Sequence, residues 1–426
     1  LGEPDFDNYK NMSTTGGLIF DHEFDDSLTF RGNMRYGYAH TQFDTVYLAG
    51  YATGTTVNRR IRKDRAYLQS FLLDNQVEKT FEVAGTENKV IAGFDYKNLN
   101  YDSIILVNVA PTIDAFNPTY GQTLNLPTID SNAFINSSDQ NLTQTGFYFQ
   151  DQTKVFDKLV LTLGGRYDIA QLETIDRDAG SVEEKKDKEF TGQAGMTYLF
   201  DSGIAPYASY AESFEPQTGS DVSGNAFVPT TGTQYEVGVK FQPADKNMLL
   251  SVAAFQLTRQ NVTTTDPNNT NFNIQTGEIR SRGVELEAHA NITDELSLIG
   301  GYTYQRVEVT GSTGTDLGAT PRQTPKHLAS LWADYSFKTG MLDGLGLSLG
   351  VRYTGDTFGD TGSTFKVPAF TLVDAALRYR LPESAFTFEV NAKNLFDKEY
   401  VSSCASTTQC FYGFRRTVLA SLKARW

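Results

Sequence analysis

The feature that most constrains the fold of this chain is an alternation of apolar and polar residues that recurs along its whole length. In the segment 284–292 every second residue is apolar, and the residues between them are Glu285, Glu287, His289 and Asn291. The segments 159–168, 327–337, 385–393 and 417–426 alternate in the same way. A period of two places successive side chains on opposite faces of a β-strand, so the chain is predicted to be all-β.

The connections between the predicted strands alternate between short and long. Tight links such as 201–203 alternate with long ones, among them 43–64, 101–140, 171–188 and 261–276. This pattern is typical of a transmembrane antiparallel β-barrel with short periplasmic turns and long extracellular loops. A soluble sandwich or propeller has no reason to follow it. The seventeen predicted strands are 12–24, 27–42, 65–79, 89–100, 141–153, 159–170, 189–200, 204–214, 233–243, 248–260, 277–292, 295–309, 326–337, 345–353, 370–380, 385–394 and 415–426.

The composition argues against two other classes of protein, nucleic-acid binders and helical membrane proteins. The formal net charge is -14, whereas a general nucleic-acid binder carries a basic stripe, so no nucleic-acid partner is expected. No stretch of the sequence approaches the run of about 18 apolar residues that a membrane-spanning helix needs.

The strand number and the first residues predict that the barrel begins before residue 1. The opening LGEPDFDNYK has no initiating Met, no basic region and no apolar region of a signal peptide. Bacterial single-chain barrels have an even number of strands with both ends in the periplasm. The predicted number, seventeen, is odd. If the last strand runs toward the periplasm, the first strand does so too, and the opening residues then lie outside the cell. We therefore expect an odd number of strands upstream.

Six stretches then carry a resemblance to a known family. They are 150–168 (QDQTKVFDKLVLTLGGRYD), 206–216 (PYASYAESFEP), 234–241 (QYEVGVKF), 276–288 (TGEIRSRGVELEA), 324–337 (TPKHLASLWADYSF) and 394–404 (NLFDKEYVSSC). In this order, with the aromatic C-terminus, they resemble the TonB-dependent siderophore receptors, most of all those for ferric hydroxamates such as ferrichrome. The resemblance covers residues 1–426. It implies a parent barrel of about 22 strands closed by a plug domain, with the plug and about five strands absent from this chain.

The resemblance also implies a function. We expect the outer-membrane barrel of a Gram-negative bacterium, which takes up ferric siderophores and is energised through TonB by a missing N-terminal region. Other expected partners are membrane lipid and lipopolysaccharide, and the barrel is expected to be monomeric. Neither catalysis nor a cofactor is expected, because the iron arrives already chelated. The alternatives are a passive porin and a docking barrel for phages or bacteriocins.

Siderophore contacts are expected where the outer loops meet the lumen, because aromatic side chains supply contact area with few rotamers to freeze. The resemblance places Tyr47 in the ligand pocket, two positions before Ala49, where the family has a second tyrosine. The other candidates are Tyr101, Phe116 and Tyr120 in the predicted loop 101–140, and Phe411 and Tyr412 after the last loop. For each, the alternative is an aromatic residue that packs on its neighbours or belongs to an interface girdle.

The cysteines and histidines complete the prediction. Cys404 and Cys410 fall in one predicted outer loop, where an oxidising envelope favours a disulfide, and the family pattern carries such a pair. No metal or hydrolase site is expected, because the four histidines lie in neither a ligand spacing nor a catalytic motif. The histidines are His22, His40, His289 and His327.

The charge run 183–188 is expected to be a solvated outer loop, with lipopolysaccharide contact as the alternative.

Overall fold

The computed structural model describes residues 1–128, 134–219, 221, 226–245, 247–265, 273–406 and 409–425. One short 3-10 helix, Gly340–Leu342, accompanies the strands, and no helix of the described residues is long and apolar enough to cross a membrane. The strands are β1 (Asn8–Asp25), β2 (Leu28–Tyr51), β3 (Thr56–Val83), β4 (Thr86–Asp114), β5 (Phe134–Val155), β6 (Leu159–Asp176), β7 (Ser181–Tyr198), β8 (Ile204–Glu215), β9 (Thr230–Phe241), β10 (Met248–Thr265), β11 (Asn273–Asn291), β12 (Leu296–Gly311), β13 (His327–Ser336), β14 (Leu345–Thr354), β15 (Thr357–Phe358), β16 (Lys366–Val367), β17 (Phe370–Arg380), β18 (Phe386–Lys393), β19 (Val401–Ser406), β20 (Gln409–Tyr412) and β21 (Thr417–Ala424).

Seventeen of these strands form a single antiparallel sheet, and they correspond one for one to the seventeen predicted from the sequence. Consecutive strands pair with each other, from β1 through β14 to β17, β18 and β21, and the two end strands β1 and β21 have one partner each. The four remaining strands form two small hairpins, β15–β16 and β19–β20, in outer connections. The predicted terminal aromatic, Trp426, lies outside the described residues.

The sheet has one apolar and one polar face, which are called the outer and inner face below. In β6 the outer face carries Leu161, Leu163 and Tyr167, and Leu163 is 65% exposed. Exposed apolar residues in this density fit contact with lipid, and polar residues fit a wide interior, as in the wall of a transmembrane β-barrel. Other exposed apolar residues of the outer face are Val237, Leu286, Leu331, Leu349, Val418 and Leu422.

The strands on the long-loop side extend further than the alternation predicted. β3 has 28 residues, whereas about 9–11 residues cross a membrane. The expected loops 43–64, 101–140, 171–188 and 261–276 are therefore wrong in extent: β2 and β3, for example, are joined by 52–55 alone, and the charge run 183–188 lies inside β7. Beyond the bilayer no lipid demands an apolar face, so strand pairing continues where the sequence signal has ended.

A small core lies in this extension. Val46, Ile61 and Ala110, from β2, β3 and β4, pack together with Phe6 from the N-terminal segment and Leu124 from the connection after β4. Strands long enough to leave the membrane can thus build a second packed layer above it. We call the outer ends of β2–β4, with residues 1–7 and 115–128, the projecting unit.

Candidate ligand-binding site

The inner face of the membrane-spanning part carries a charged network centred on Arg166. The guanidinium donates to Asp168 through Nε, at 2.7 Å to Oδ2, and through Nη2, at 2.7 Å to Oδ1. It also donates to both oxygens of Asp95, with 3.0 Å from Nη2 to Oδ1. Gln144 donates a further hydrogen bond of 2.8 Å to Asp168. The network links three strands, so its first role is to hold the wall of the lumen.

Tyr148 extends this network across the neighbouring wall. Its ring centroid lies 6.0 Å from the Arg166 guanidinium carbon, and its hydroxyl donates to Asp74 Oδ1 at 2.6 Å. A cavity of about 890 Å³ borders these residues and is also lined by Arg35, Lys97, Gln150 and Gln193. Apolar side chains such as Ile19, Leu72 and Phe149 also line it, so the cavity combines charged, amide and apolar surface.

Tyr47, the strongest sequence candidate, lies on the inner face at the outer end of β2. It is half-buried, and its Cα partner across the ladder is Arg60 of β3. One pair nearer the membrane, Arg62 of β3 donates to both carboxylate oxygens of Asp64, at 2.7 Å and 2.9 Å from Nε. The site predicted around this tyrosine is thus an aromatic ring beside two arginines.

Tyr101 does not lie in a loop, contrary to the sequence prediction. It is part of β4, where it pairs with Leu68 of β3 and Gln140 of β5 on the inner face. Leu68 is eight residues further along β3 than Arg60, which separates the levels of Tyr47 and Tyr101 by about 27 Å at about 3.4 Å per residue. The two tyrosines therefore cannot contact the same face of a small ligand.

The four remaining candidates lie in two separate places. Phe116 and Tyr120 belong to the connection after β4, in the projecting unit, and are 86% and 42% exposed. Phe411 and Tyr412 lie in β20, within the hairpin before the last strand, and are 49% and 81% exposed. The structure thus distributes the six predicted residues over the lumen wall and two outer connections, and none of the six is deeply buried.

The predicted disulfide between Cys404 and Cys410 is confirmed, and it closes the β19–β20 hairpin. Cys404 is 1% exposed, because neighbouring connections pack around it. Gln323 of the connection 312–326 donates to the Cys404 carbonyl at 3.4 Å, and its backbone N–H donates to Phe358 of β15 at 3.0 Å. Three outer connections are therefore tied together around the disulfide.

Sequence reasoning missed Arg60, Arg62 and Val109, which surround Tyr47 on the inner face. Val109 pairs with Arg60 and is 71% exposed. In the sequence, these residues are indicated by their spacing alone. Arg60, Arg62 and Asp64 are two positions apart, so their side chains lie on one face once β3 begins at Thr56. Among the described residues, no group of three or more His, Cys, Asp or Glu could hold a metal ion.

Comparison with known proteins gives one family and a set of named relatives. Residues 2–395 match the family described as TonB dependent receptor-like, beta-barrel. The chain is 38% identical to the ferrichrome outer membrane transporter/phage receptor of Escherichia coli K12, over 98% of the chain and 59% of that protein. It is 33% identical to the ferrioxamine B receptor of Salmonella typhimurium SL1344, over 99% of the chain and 59% of that protein. The chain thus spans about 59% of the length of these curated relatives.

Solved structures agree on the fold. The ferric-catecholate import receptor Fiu of E. coli K12, in its closed form, superposes with a TM-score of 0.82 at 23% identity, over 99% of the chain and 65% of that structure. The siderophore receptor PiuA of Acinetobacter baumannii gives a TM-score of 0.81 at 23% identity, over 99% of the chain and 65% of that structure. The described strands therefore have the fold of part of an outer-membrane receptor barrel.

Proposed function

The chain belongs to the TonB-dependent receptor family of Gram-negative outer-membrane β-barrels, and from that membership we propose that it forms the barrel wall of a receptor for ferric siderophores of the hydroxamate type. The observation that carries the proposal is the 38% identity to the ferrichrome transporter over 98% of the chain. A second hydroxamate receptor, for ferrioxamine B, supports the same ligand class.

The geometry fits this role. Tyr47 offers an aromatic surface to the organic shell of the chelate, and the arginines beside it offer hydrogen-bond donors. Binding of this kind needs no catalytic group and no resident cofactor, because the ferric ion is cargo. We propose that transport is energised by TonB through a part of the protein outside this chain, and that the receptor works as a monomer in contact with membrane lipid and lipopolysaccharide.

The experiment is an uptake assay with the complete gene product. The receptor is expressed in a strain that lacks its own hydroxamate receptors, and uptake of radioactive iron is measured from ferrichrome, ferrioxamine B, a ferric catecholate and ferric citrate. We expect uptake from a hydroxamate that disappears in a strain without TonB. Uptake that persists without TonB contradicts the receptor proposal and supports the passive porin.

Docking of a phage or bacteriocin is a second candidate function. One relative is named as a phage receptor as well as a transporter, and one similar solved structure is a complex with pyocin S2. The exposed Phe116 and Tyr412 are available for such contacts. Adsorption of hydroxamate-receptor phages to cells that express the complete gene product, compared with cells that do not, tests this function.

A further inference from the structure

A patch of the lumen wall near the outer opening combines an aromatic ring, an aliphatic side chain and two arginines. We call it the mouth patch and define it as Tyr47, Arg60, Arg62 and Val109. The β2–β3 ladder runs without a register shift from Leu28 to Leu48. The parity of the strands therefore places the mouth patch on the inner face, the same face as the Arg166 network.

The two arginines of the mouth patch differ in how their charge is balanced. Arg62 is held by Asp64, with 2.7 Å between Nη2 and Oδ2 in addition to the contacts of its Nε. Arg60 is exposed and has neither a hydrogen-bond nor an ion-pair partner among the residues that the structure describes. One of the two positive charges is therefore already neutralised, and the other is open to the lumen.

The neighbouring strands supply no counter-charge to Arg60. Its direct partners are Tyr47 on β2 and Val109 on β4, and the diagonal neighbours one pair nearer the membrane are Thr45 and Val107. All four are uncharged. Since directly opposite and diagonal neighbours are the side chains a strand residue can reach, the wall itself leaves this guanidinium without a carboxylate.

Three other arginines of the inner face are paired with carboxylates. Arg31 contacts Glu78 at 2.8 Å, and Arg166 contacts Asp168 at 2.7 Å. Arg352 is held by Asp374, with 3.0 Å from Nη2 to Oδ1. In a chain with a net charge of -14, carboxylates are abundant, and these arginines have them. Arg35, deeper in the lumen opposite Leu72, also lacks a carboxylate partner among the described residues. Arg60 differs from Arg35 in its place, because it lies at the end of the barrel where a ligand arrives.

We propose that Arg60 selects ferric hydroxamates that carry a free negative charge, such as a pendant carboxylate. This inference rests on the proposed function and adds the charge of the ligand to it. Tyr47 and Val109 cover the apolar part of the chelate, while the planar guanidinium accepts the carboxylate with two parallel hydrogen bonds. Because the arginine is exposed, the selectivity is modest: about fivefold to tenfold in affinity.

The test uses one chelate scaffold with three terminal charges. Ferrioxamine B ends in a cationic amine, its acetylated form is neutral at that end, and its succinylated form ends in a carboxylate, while the iron-binding part stays the same. Binding of each ferric form to the complete purified receptor is followed by quenching of protein fluorescence. We expect the succinylated form to bind about fivefold to tenfold more tightly than the acetylated form at low salt, and salt to reduce this preference.

Two variants connect the preference to Arg60. Arg60→Gln should remove the preference because it weakens binding of the succinylated form about fivefold to tenfold more than binding of the acetylated form. Arg60→Lys should keep part of the preference, because the positive charge remains. Lys63→Gln is the matched control, because Lys63 lies on the same strand but on the outer face, and its loss changes the net charge equally.

The outcomes separate this inference from the proposed function. Equal binding of the three charge forms, or an equal effect of Lys63→Gln and Arg60→Gln, overturns the role of Arg60 and leaves the hydroxamate receptor standing. Binding of none of the three forms overturns the role of Arg60, and absence of ferrichrome binding as well overturns the proposed function.

Discussion

Arg59 and Glu3 form an ion pair of 2.9 Å, from Nη2 to Oε1, in which the two side chains are 0% and 5% exposed. The same guanidinium donates to the carbonyls of Pro111, Leu1 and Gly2, and the second oxygen of Glu3 accepts the backbone N–H of Gly121 at 3.0 Å. This pair joins the N-terminal segment, β3 and the connection after β4. It is the polar counterpart of the small core in the projecting unit.

Removal of Arg59 should loosen the projecting unit. Arg59→Ala leaves a buried carboxylate without its cation, and breaking a buried pair in this way costs about 3–5 kcal/mol. The measurement is limited proteolysis of intact cells that express the complete receptor, followed at residues 1–7 and 115–128. The control is Arg177→Ala, because Arg177 and its partner Asp102 are 40% and 41% exposed and such a pair contributes about 1 kcal/mol or less. Equal cleavage of the two variants contradicts the structural role of Arg59.

Tyr47→Ala should lower the affinity for the cognate ferric hydroxamate by about tenfold or more, because truncation of a ring at the centre of a contact has an effect of this size. Tyr101→Ala is the matched control, since it removes the same ring from the same face of the wall at a level far from Tyr47. Fluorescence titration of the purified complete receptor measures both. If Tyr101→Ala weakens binding as much as Tyr47→Ala, the assignment of the site to the outer mouth is wrong.

A charge on the outer face should disturb membrane insertion, whereas a charge on the inner face should be tolerated. Leu163→Arg places a cation against lipid and should cost about 2–4 kcal/mol, depending on its depth. The adjacent Thr162→Arg points into the lumen, where Thr162 pairs with Gln152 and Gly195. Folding into lipid vesicles, followed by the heat-modifiable mobility of the barrel in gels, measures the difference. If Thr162→Arg lowers the folded fraction more than Leu163→Arg does, the assignment of the outer and inner faces of the sheet is wrong.

Loss of the disulfide should affect more than its own hairpin. Closing this short loop contributes about 2 kcal/mol in the chain-entropy model, and the buried Cys404 also contacts the residues around Gln323 and Gly359. In Cys404→Ala/Cys410→Ala we therefore expect faster proteolysis of the connections 355–369 and 394–416 together. Cleavage confined to 394–416 would show that the three connections move independently. Unchanged heat-modifiable mobility is the control that the membrane part remains folded.

The sequence predicts the membrane-spanning part of the fold well because lipid imposes a rule on every second residue. Leu159, Leu161 and Leu163 reveal β6 without any structural information. The same rule fails above the membrane, where both faces of a strand meet water. The sequence pattern therefore predicts a loop at Tyr101, which lies in β4, and a solvated loop at the mixed charge run 183–188, which lies in β7.

The candidate site could be predicted only in part, for a related reason. The resemblance predicts Tyr47, and the place of two cysteines in one outer loop of an oxidising envelope, together with the family pattern, predicts the disulfide. Arg60 and Arg59 are neighbours in sequence, yet one is exposed toward the lumen and the other is fully buried. Their difference arises from the face of β3 on which each lies and from the segment that folds over Arg59. Neither fact is visible until the length and the register of β3 are known.

The pairing of each strand with its sequence neighbours has a consequence for how the chain assembles. No pairing among the described strands of the sheet has to wait for a distant stretch of polypeptide to find its partner, so the entropy lost at each step is that of closing one hairpin. Such a wall can grow by adding strands in the order in which they are translated. Its overall speed of assembly is then set by the slowest single addition, and the longest connections, such as 394–416, are the natural places for a pause.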